Sequence, residues 1–277
     1  YEPVLRIAAE AAAEREIMPI MVAGAIGRTD QAVREARIAR GLGYHAVLLS
    51  LAAWKDASED EIVAHCQAVA AEMPLFGFYL QPAVGGVPLS AGFWRRFAAI
   101  DNVVAIKIAP FDRYATLDVL RGVLEAGAAD RVALYTGNDD HIVADLLTPF
   151  TLVHRDEQKT LRIVGGLLGH WSVWTKAAVD LHARCRRADA TPDLLALDAQ
   201  VTEMNAAVFD VAHAFHGVIA GCHEVLRRQG LLDGIWCLDP REGLSPGQAD
   251  LLTAVAERYP QLTDDSFIRA NLHAWLS

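Results

Sequence analysis

The sequence predicts an α/β chain built on a parallel sheet. Short apolar runs alternate with helical patterns, and they recur at a nearly constant interval. The runs centre on Ile20, Val47, Phe76, Val104, Ala133 and Val164. Successive centres are evenly spaced, each about one strand–helix unit after the last. Each interval holds one helix of three to four turns. Serial strand–helix units of this length imply parallel strands with helices as crossovers. The runs are apolar almost throughout, as expected of strands buried on both faces. Two architectures fit this periodicity: a doubly wound open sheet of six strands, or an eight-stranded barrel whose first two strands are not in this chain.

The elements follow in order. Leu5 to Ala12 reads as the later part of a helix, and the chain starts at Tyr1 without a Met, so residues are expected upstream. PIMVAG around Ile20 is the first strand. No GxGxxG follows it, and Gly24-Ala25-Ile26-Gly27 is too short for a phosphate loop. Ser58-Glu59-Asp60-Glu61 has the form of a capping box and opens a helix that ends before Pro74. Ser90 is placed to cap the helix carrying Phe93, Trp94 and Phe97, and Gly41 and Gly127 are helix stops. From about Asp189 the strand signal ends. Helices are expected over 194–215, 221–229, 246–258 and 264–276. The expected division is therefore a barrel-type domain over 1–188 and a helical subdomain over 189–277.

Composition narrows the partners. With 25 Lys and Arg against 35 Asp and Glu, the net charge is −10, and no dense basic block interrupts it. Nucleic acid is excluded as a partner, since its binding rests on a positive footprint. No apolar run reaches the ~18 residues of a membrane span. Cys66, Cys185, Cys222 and Cys237 are far apart and form no CxxC, so they read as reduced thiols of a cytoplasmic protein. His213, His216 and His223 do not make an HExxH set, and no metal is expected.

Lys107 is the most unusual residue. It lies in Val103-Val104-Ala105-Ile106-Lys107-Ile108-Ala109, flanked only by apolar neighbours, and alternation puts it on a face with Val103, Ala105 and Ala109. Desolvation disfavours an ammonium, so such a lysine supplies a free amine that can attack a ketone and form a Schiff base. The alternative is a lysine at a strand end reaching solvent. Tyr79 ends the preceding strand, one strand–helix unit earlier, and a phenol beside the amine would shuttle protons. The alternative there is a core tyrosine. Thr136-Gly137-Asn138-Asp139-Asp140 follows the next strand but one from Tyr79, where glycine and short polar groups suit a barrel mouth; Asn138 or Asp139 would equally serve as a helix cap. Gly165-Gly166 with Gly169-His170-Trp171-Ser172 follows the last strand and offers backbone N–H groups to a carboxylate.

Together these segments resemble the dihydrodipicolinate synthase / N-acetylneuraminate lyase family. Phe78-Tyr79-Leu80-Gln81-Pro82-Ala83-Val84-Gly85-Gly86 is similar to that family's Y-N-x-P-x-x-x-G, and Asn102-Val103-Val104-Ala105-Ile106-Lys107 to its lysine strand. Thr136 to Asp140 resembles its S-G-D-D, and Gly165 to Ser172 its G-G-x-G-x-I-S turn. The resemblance covers roughly residues 15 to 185. It implies a (β/α)8 TIM barrel with the first two strands missing from this chain, plus a C-terminal helical extension. It further implies a class I aldolase or lyase that needs no cofactor beyond the covalent lysine imine. Its partners would be a small 2-oxo acid, pyruvate above all, and an aldehyde, on a homo-oligomer (dimer or tetramer). Lys107 would be the nucleophile and Tyr79 the proton-transfer group. Gly137, Asn138, Asp139, Gly166 and Trp171 would bind substrate.

Departures from the family narrow the reading. Trp54 stands where the synthases carry a proton-relay tyrosine, Val84 where they carry an arginine, and Leu80 where they carry asparagine. The stretch Thr148 to Leu161 is also longer than usual. A pocket of Leu80, Val84, Trp54 and Trp171 suits an apolar aldehyde better than aspartate semialdehyde, which argues against the lysine pathway. The rival readings are a metal-dependent barrel lyase or hydrolase and a non-catalytic paralogue.

Overall fold

The computed structural model describes residues 1–187 and 191–276. In chain order its elements are α1 (Glu2–Ala13), β1 (Val22–Ala25), α2 (Thr29–Gly41), β2 (Ala46–Leu49), α3 (Glu59–Ala70), β3 (Leu75–Leu80), α4 (Ala91–Ala98), β4 (Val103–Ala109), α5 (Arg113–Glu125), β5 (Ala133–Thr136), α6 (Ile142–Leu147), β6 (Phe150–His154), β7 (Glu157–Leu161), β8 (Ile163–Gly166) and α7 (Thr175–Arg187). Four helices complete it: α8 (Pro192–Val208), α9 (Val218–Arg228), α10 (Gln248–Arg258) and α11 (Asp265–Leu276). Strand–helix alternation and the helical C-terminal segment are as the sequence predicts.

The main sheet has the order β1-β2-β3-β4-β5-β8. The pairings β1 to β2, β2 to β3 and β3 to β4 are all parallel. Each strand lies beside its predecessor in sequence, with only the β6–β7 hairpin set aside. A doubly wound sheet reverses its strand order at a switch point. Here the order runs one way, which is the topology of a (β/α) barrel. The longer stretch before the last strand is the antiparallel hairpin β6–β7, with Phe150 opposite Leu161 and His154 opposite Glu157. Its tight connection puts Arg155 and Asp156 at positive φ.

Several finer expectations hold and others do not. Ser58 accepts from the Glu61 N–H while Glu61 accepts from the Ser58 N–H, a complete capping box on α3. Ser90 caps α4 through the Phe93 N–H. Gly127 has φ +68 after α5, as a helix stop should. Gly41 does not stop α2; it is the helix's last residue, and Gly43 takes the left-handed conformation at φ +81. The first strand begins at Val22 rather than at Pro19, and Ile20 is exposed. Burial on both faces holds in the middle of the sheet only: β1 and β8 alternate between exposed and buried residues. The helix expected over 194–215 ends at Val208, because Asp210 turns into the left-handed region at φ 54.

The chain divides into two compact units. Unit one comprises Tyr1–Tyr135 and Pro149–Val164; unit two comprises Thr136–Thr148 and Gly165–Ser277. The boundary expected between residues 188 and 189 lies outside the described residues. Unit one has its core between sheet and helices, where Phe93, Trp94 and Phe97 of α4 are buried with Leu75, Ile106, Ile108 and Leu120. In unit two, Met204, Val208, Val201, Leu252 and Val255 are buried on α8 and α10. All four cysteines are free thiols; Cys66 and Cys185 are buried, Cys222 and Cys237 half-buried. Among the described residues, no helix is long and apolar enough to cross a membrane.

Candidate active site

Lys107 lies two residues from the carboxyl end of β4 and is half-buried. Its Nζ sits 4.4 Å from the centroid of the Phe78 ring. The sheet register explains the contact. Leu75 pairs with Val103, but Phe76 pairs with Ala105, so the interval grows by one. One residue of β4 is accommodated as a bulge at that point, and the offset persists to the strand's end. Phe78 is therefore the partner of Lys107, and Tyr79 the partner of Ile108. Paired residues of neighbouring parallel strands share a face, and a one-residue slip exchanges the faces.

Tyr79 accordingly points away from Lys107, which corrects the expectation that phenol and amine meet. Its ring lies 5.1 Å from that of Trp94 on α4. Its hydroxyl accepts from the Leu89 N–H and donates to the Leu89 carbonyl, both at 3.3 Å. Burial pushes the phenol above its ordinary range, against the smaller opposite effect of the Leu89 hydrogen bond. Its surroundings are those of a core tyrosine. Gly77, on the same face, has no room for a side chain: a Cβ would lie 2.7 Å from the Phe97 ring.

Leu80 is half-buried, and the loop after it is tight. Pro82–Val84 forms one 3-10 turn, and Gly85 closes it at φ +103. A Cβ on Gly86 would meet the Leu80 carbonyl at 1.8 Å, so the backbone passes too close for any side chain. Val84 at the tip is 50 % exposed. A Cβ on Gly85 would lie 3.9 Å from Nζ of Lys55, an exposed lysine just after β2. Sequence reasoning missed this cation, since a lone surface lysine carries no local signal.

Trp54 is not a free aromatic wall. It is buried, its Nε1–H donates to the Gly27 carbonyl at 3.1 Å, and its ring lies tilted against His65 with centroids 4.5 Å apart. The Arg28 guanidinium lies 4.6 Å from its centroid. Burial pushes His65 down to about 4, with the Arg28 charge adding to the effect. Trp54 thus serves the junction of the loops after β1 and β2.

In unit two, the turn after β5 is rigid. Thr136, Gly137, Asn138 and Asp139 are all buried. The carboxylate of Asp145, fully buried on α6, accepts from Thr136 Oγ1 at 2.6 Å and from Asn138 Nδ2 at 3.0 Å. The Asn138 N–H in turn donates to Thr136 Oγ1. Asn138 and Asp139 do not cap α6; the residue at its N-cap is His141. Asp139 instead accepts from the His170 N–H at 2.9 Å, and the Leu167 N–H donates to the Thr136 carbonyl. These bonds tie the turn after β5 to the turn after β8. They also engage the N–H groups of Leu167 and His170, two of those in the turn after β8 expected to face a carboxylate. Gly166 is needed for packing: a Cβ there would meet the Trp171 ring at 2.8 Å. Trp171 is half-buried, its ring edge-on to His182 at 5.9 Å. His170 is buried, and burial pushes it down to about 4. Among the described residues, no three His, Cys, Asp or Glu are grouped as a metal site.

The strands that carry Tyr79 and Lys107 also match known proteins. The model of the dihydrodipicolinate synthetase family matches residues 1–150. The chain belongs to that family. The 4-hydroxy-tetrahydrodipicolinate synthase of Clostridium perfringens is 28% identical over 130 residues, 46% of this chain and 42% of that protein. The chain thus matches less than half the length of these curated relatives. Among solved structures, dihydrodipicolinate synthase from Acinetobacter baumannii, in complex with pyruvate, superposes with TM-score 0.73 at 20% identity, covering 92% of this chain and 79% of that one. The Bacteroides thetaiotaomicron synthase gives TM-score 0.72 at 15% identity over 93% and 80%. These likenesses show the fold. The family match spans the tyrosine and lysine strands, and it ends before the turn after β8.

Proposed function

We propose that the chain is a class I aldolase or lyase that forms a Schiff base between Lys107 and pyruvate or a similar 2-oxo acid. The observation that carries this reading is the placement of Lys107, the one charged side chain of β4, against the face of Phe78. The amine attacks the ketone carbonyl; loss of water from the carbinolamine leaves a cationic imine. That cation withdraws electrons from the adjacent carbon, which then loses a proton or a carbon partner. An aromatic face attracts a cation, so the Phe78 ring favours the charged imine over the neutral carbinolamine. Leu80 and Val84 face the second substrate.

Borohydride reduction in the presence of pyruvate tests this. The peptide containing Lys107 should gain the mass of the reduced adduct, and Lys107→Ala should lose both labelling and turnover. No labelling with any 2-oxo acid, or labelling at another lysine, overturns the reading.

For the aldehyde, the half-exposed Val84 favours uncharged substrates, because burying a carboxylate without a partner costs several kcal/mol. Lys55 supports a second reading in which an anionic aldehyde is held at the loop after β3. The measurement is kcat/KM for aspartate semialdehyde against an aromatic aldehyde. A preference of about tenfold or more for the semialdehyde, lost in Lys55→Ala, selects the second reading.

A further inference from the structure

With Tyr79 turned to the helices, the imine chemistry needs another proton carrier, and the face that carries Lys107 holds one. Of the six tyrosines, Tyr1, Tyr44, Tyr79 and Tyr259 have hydroxyls hydrogen-bonded within the protein, and Tyr114 lies in solvent. Tyr135, on β5, is different. It is half-buried, yet among the described residues no group is hydrogen-bonded to its hydroxyl. A phenol taken out of water ordinarily finds a partner, and one without a partner needs a reason. A bound molecule that uses the hydroxyl supplies that reason.

The sheet register puts this phenol on the lysine's face. Phe76 pairs with Ala105 and Phe78 with Lys107, so these four side chains share one face. The Tyr135 ring lies 5.4 Å from the Phe76 ring. β4 runs between β3 and β5, so the two rings meet across it. The β4 residue at that level is Ala105, small enough to lie beneath both rings, and it is buried. Lys107 is the next β4 residue on the same face, about 7 Å further toward the carboxyl end. It therefore rises between two aromatic flanks: Phe78 on the β3 side, 4.4 Å from Nζ, and Tyr135 on the β5 side. All of these residues belong to unit one.

We infer that the Tyr135 hydroxyl is the proton carrier of the Lys107 imine, first as acid toward the leaving water and then as base at the adjacent carbon. The inference rests on the Schiff-base reading above. In the first step the carbinolamine hydroxyl takes the phenol's proton. The C–O bond breaks, its electron pair leaves with the water, and the nitrogen lone pair forms the C=N bond. A cationic imine and a phenolate result, and the neighbouring cation favours the charged phenolate. In the second step the phenolate takes a proton from the methyl carbon of the pyruvate imine. The C–H pair becomes the C=C bond of the enamine, and the C=N pair moves onto nitrogen and cancels its charge. The phenol is thereby restored.

The test is Tyr135→Phe in the full chain, which keeps the ring against Phe76 and removes only the hydroxyl. Protein and pyruvate are mixed over a range of concentrations and quenched with borohydride at intervals, and the adduct on the Lys107 peptide is followed by mass. In parallel, loss of the methyl signal is followed by proton NMR in deuterium oxide. Tyr135→Phe should still trap pyruvate at Lys107, but with a maximal rate lower by about 10² or more, as on loss of a general acid–base group. Methyl exchange should slow by a similar factor. The pyruvate concentration for half-maximal rate should move by less than about threefold, since the lost group acts in the transition state and not in binding. Either maximal rate within about threefold of wild type overturns the assignment, as does a loss that appears only as weaker pyruvate binding. Failure of the wild type itself to trap pyruvate overturns the imine reading, and this one with it.

Discussion

The loop after β3 and the turn after β5 occupy equivalent places in the strand–helix repeat, yet they are built in opposite ways. The β3 loop is closed by its own backbone, with Gly85 N–H donating to the Pro82 carbonyl and Gly86 N–H to Gln81. Its tip, Val84, lies half in solvent. The β5 turn is locked by buried side chains, with Asp145 drawing in both Thr136 and Asn138. A loop held only by its backbone lets its side chains change at small cost. A turn held by a buried polar network does not, because each broken bond strands another polar group.

The sharpest way to break that contrast is Asp145→Ala. The Thr136 hydroxyl and the Asn138 amide would each lose a partner, at about 1–3 kcal/mol apiece. A loss of stability of about 3 kcal/mol is expected in denaturant unfolding, with Asp145→Asn milder. A loss of less than about 0.5 kcal/mol, the range of an ordinary surface substitution, would show that the network does not hold the turn. Val84→Arg tests the other region. Stability should change by less than about 0.5 kcal/mol at so exposed a site. Preference should move toward anionic aldehydes by about tenfold, read as a ratio of kcat/KM values, since the guanidinium supplies a bidentate partner. An unmoved ratio removes Val84 from the specificity argument. The smallest effect is expected from Tyr79→Phe. Loss of the Leu89 bonds should cost about 1 kcal/mol of stability, with turnover within about threefold of wild type. A rate loss of the order of 10²–10⁴ would return Tyr79 to proton transfer and count against the register described for β3 and β4.

That register marks where sequence reasoning stops. The regular strand interval locates β2 through β5, and the Ser58 and Ser90 caps are evident from residue type alone. Lys107 stands out because an ammonium has no ordinary place in an apolar strand. Spacing, however, gives proximity and not facing. Tyr79 and Lys107 have the same separation as Leu75 and Val103, and in that register they would be partners. A bulge of one residue moves the pairing to Phe78, and nothing in the local sequence announces it. Trp54 was hidden for a related reason: its occupants, Arg28 and His65, come from distant positions. The early end of α8 was hidden because a helical pattern continues through residues whose backbone has left the helix.

The one-way order of the strands bears on how the molecule is made. Each of β2, β3 and β4 pairs with the strand before it, one strand–helix unit back. Pairing one strand–helix unit back closes a shorter loop than pairing between strands further apart in the chain. The longer connection is that from β5 to β8, its neighbour in the sheet, since the β6–β7 hairpin lies between them in sequence. Addition of β8 is where refolding should pause, and a shortened hairpin should make it faster.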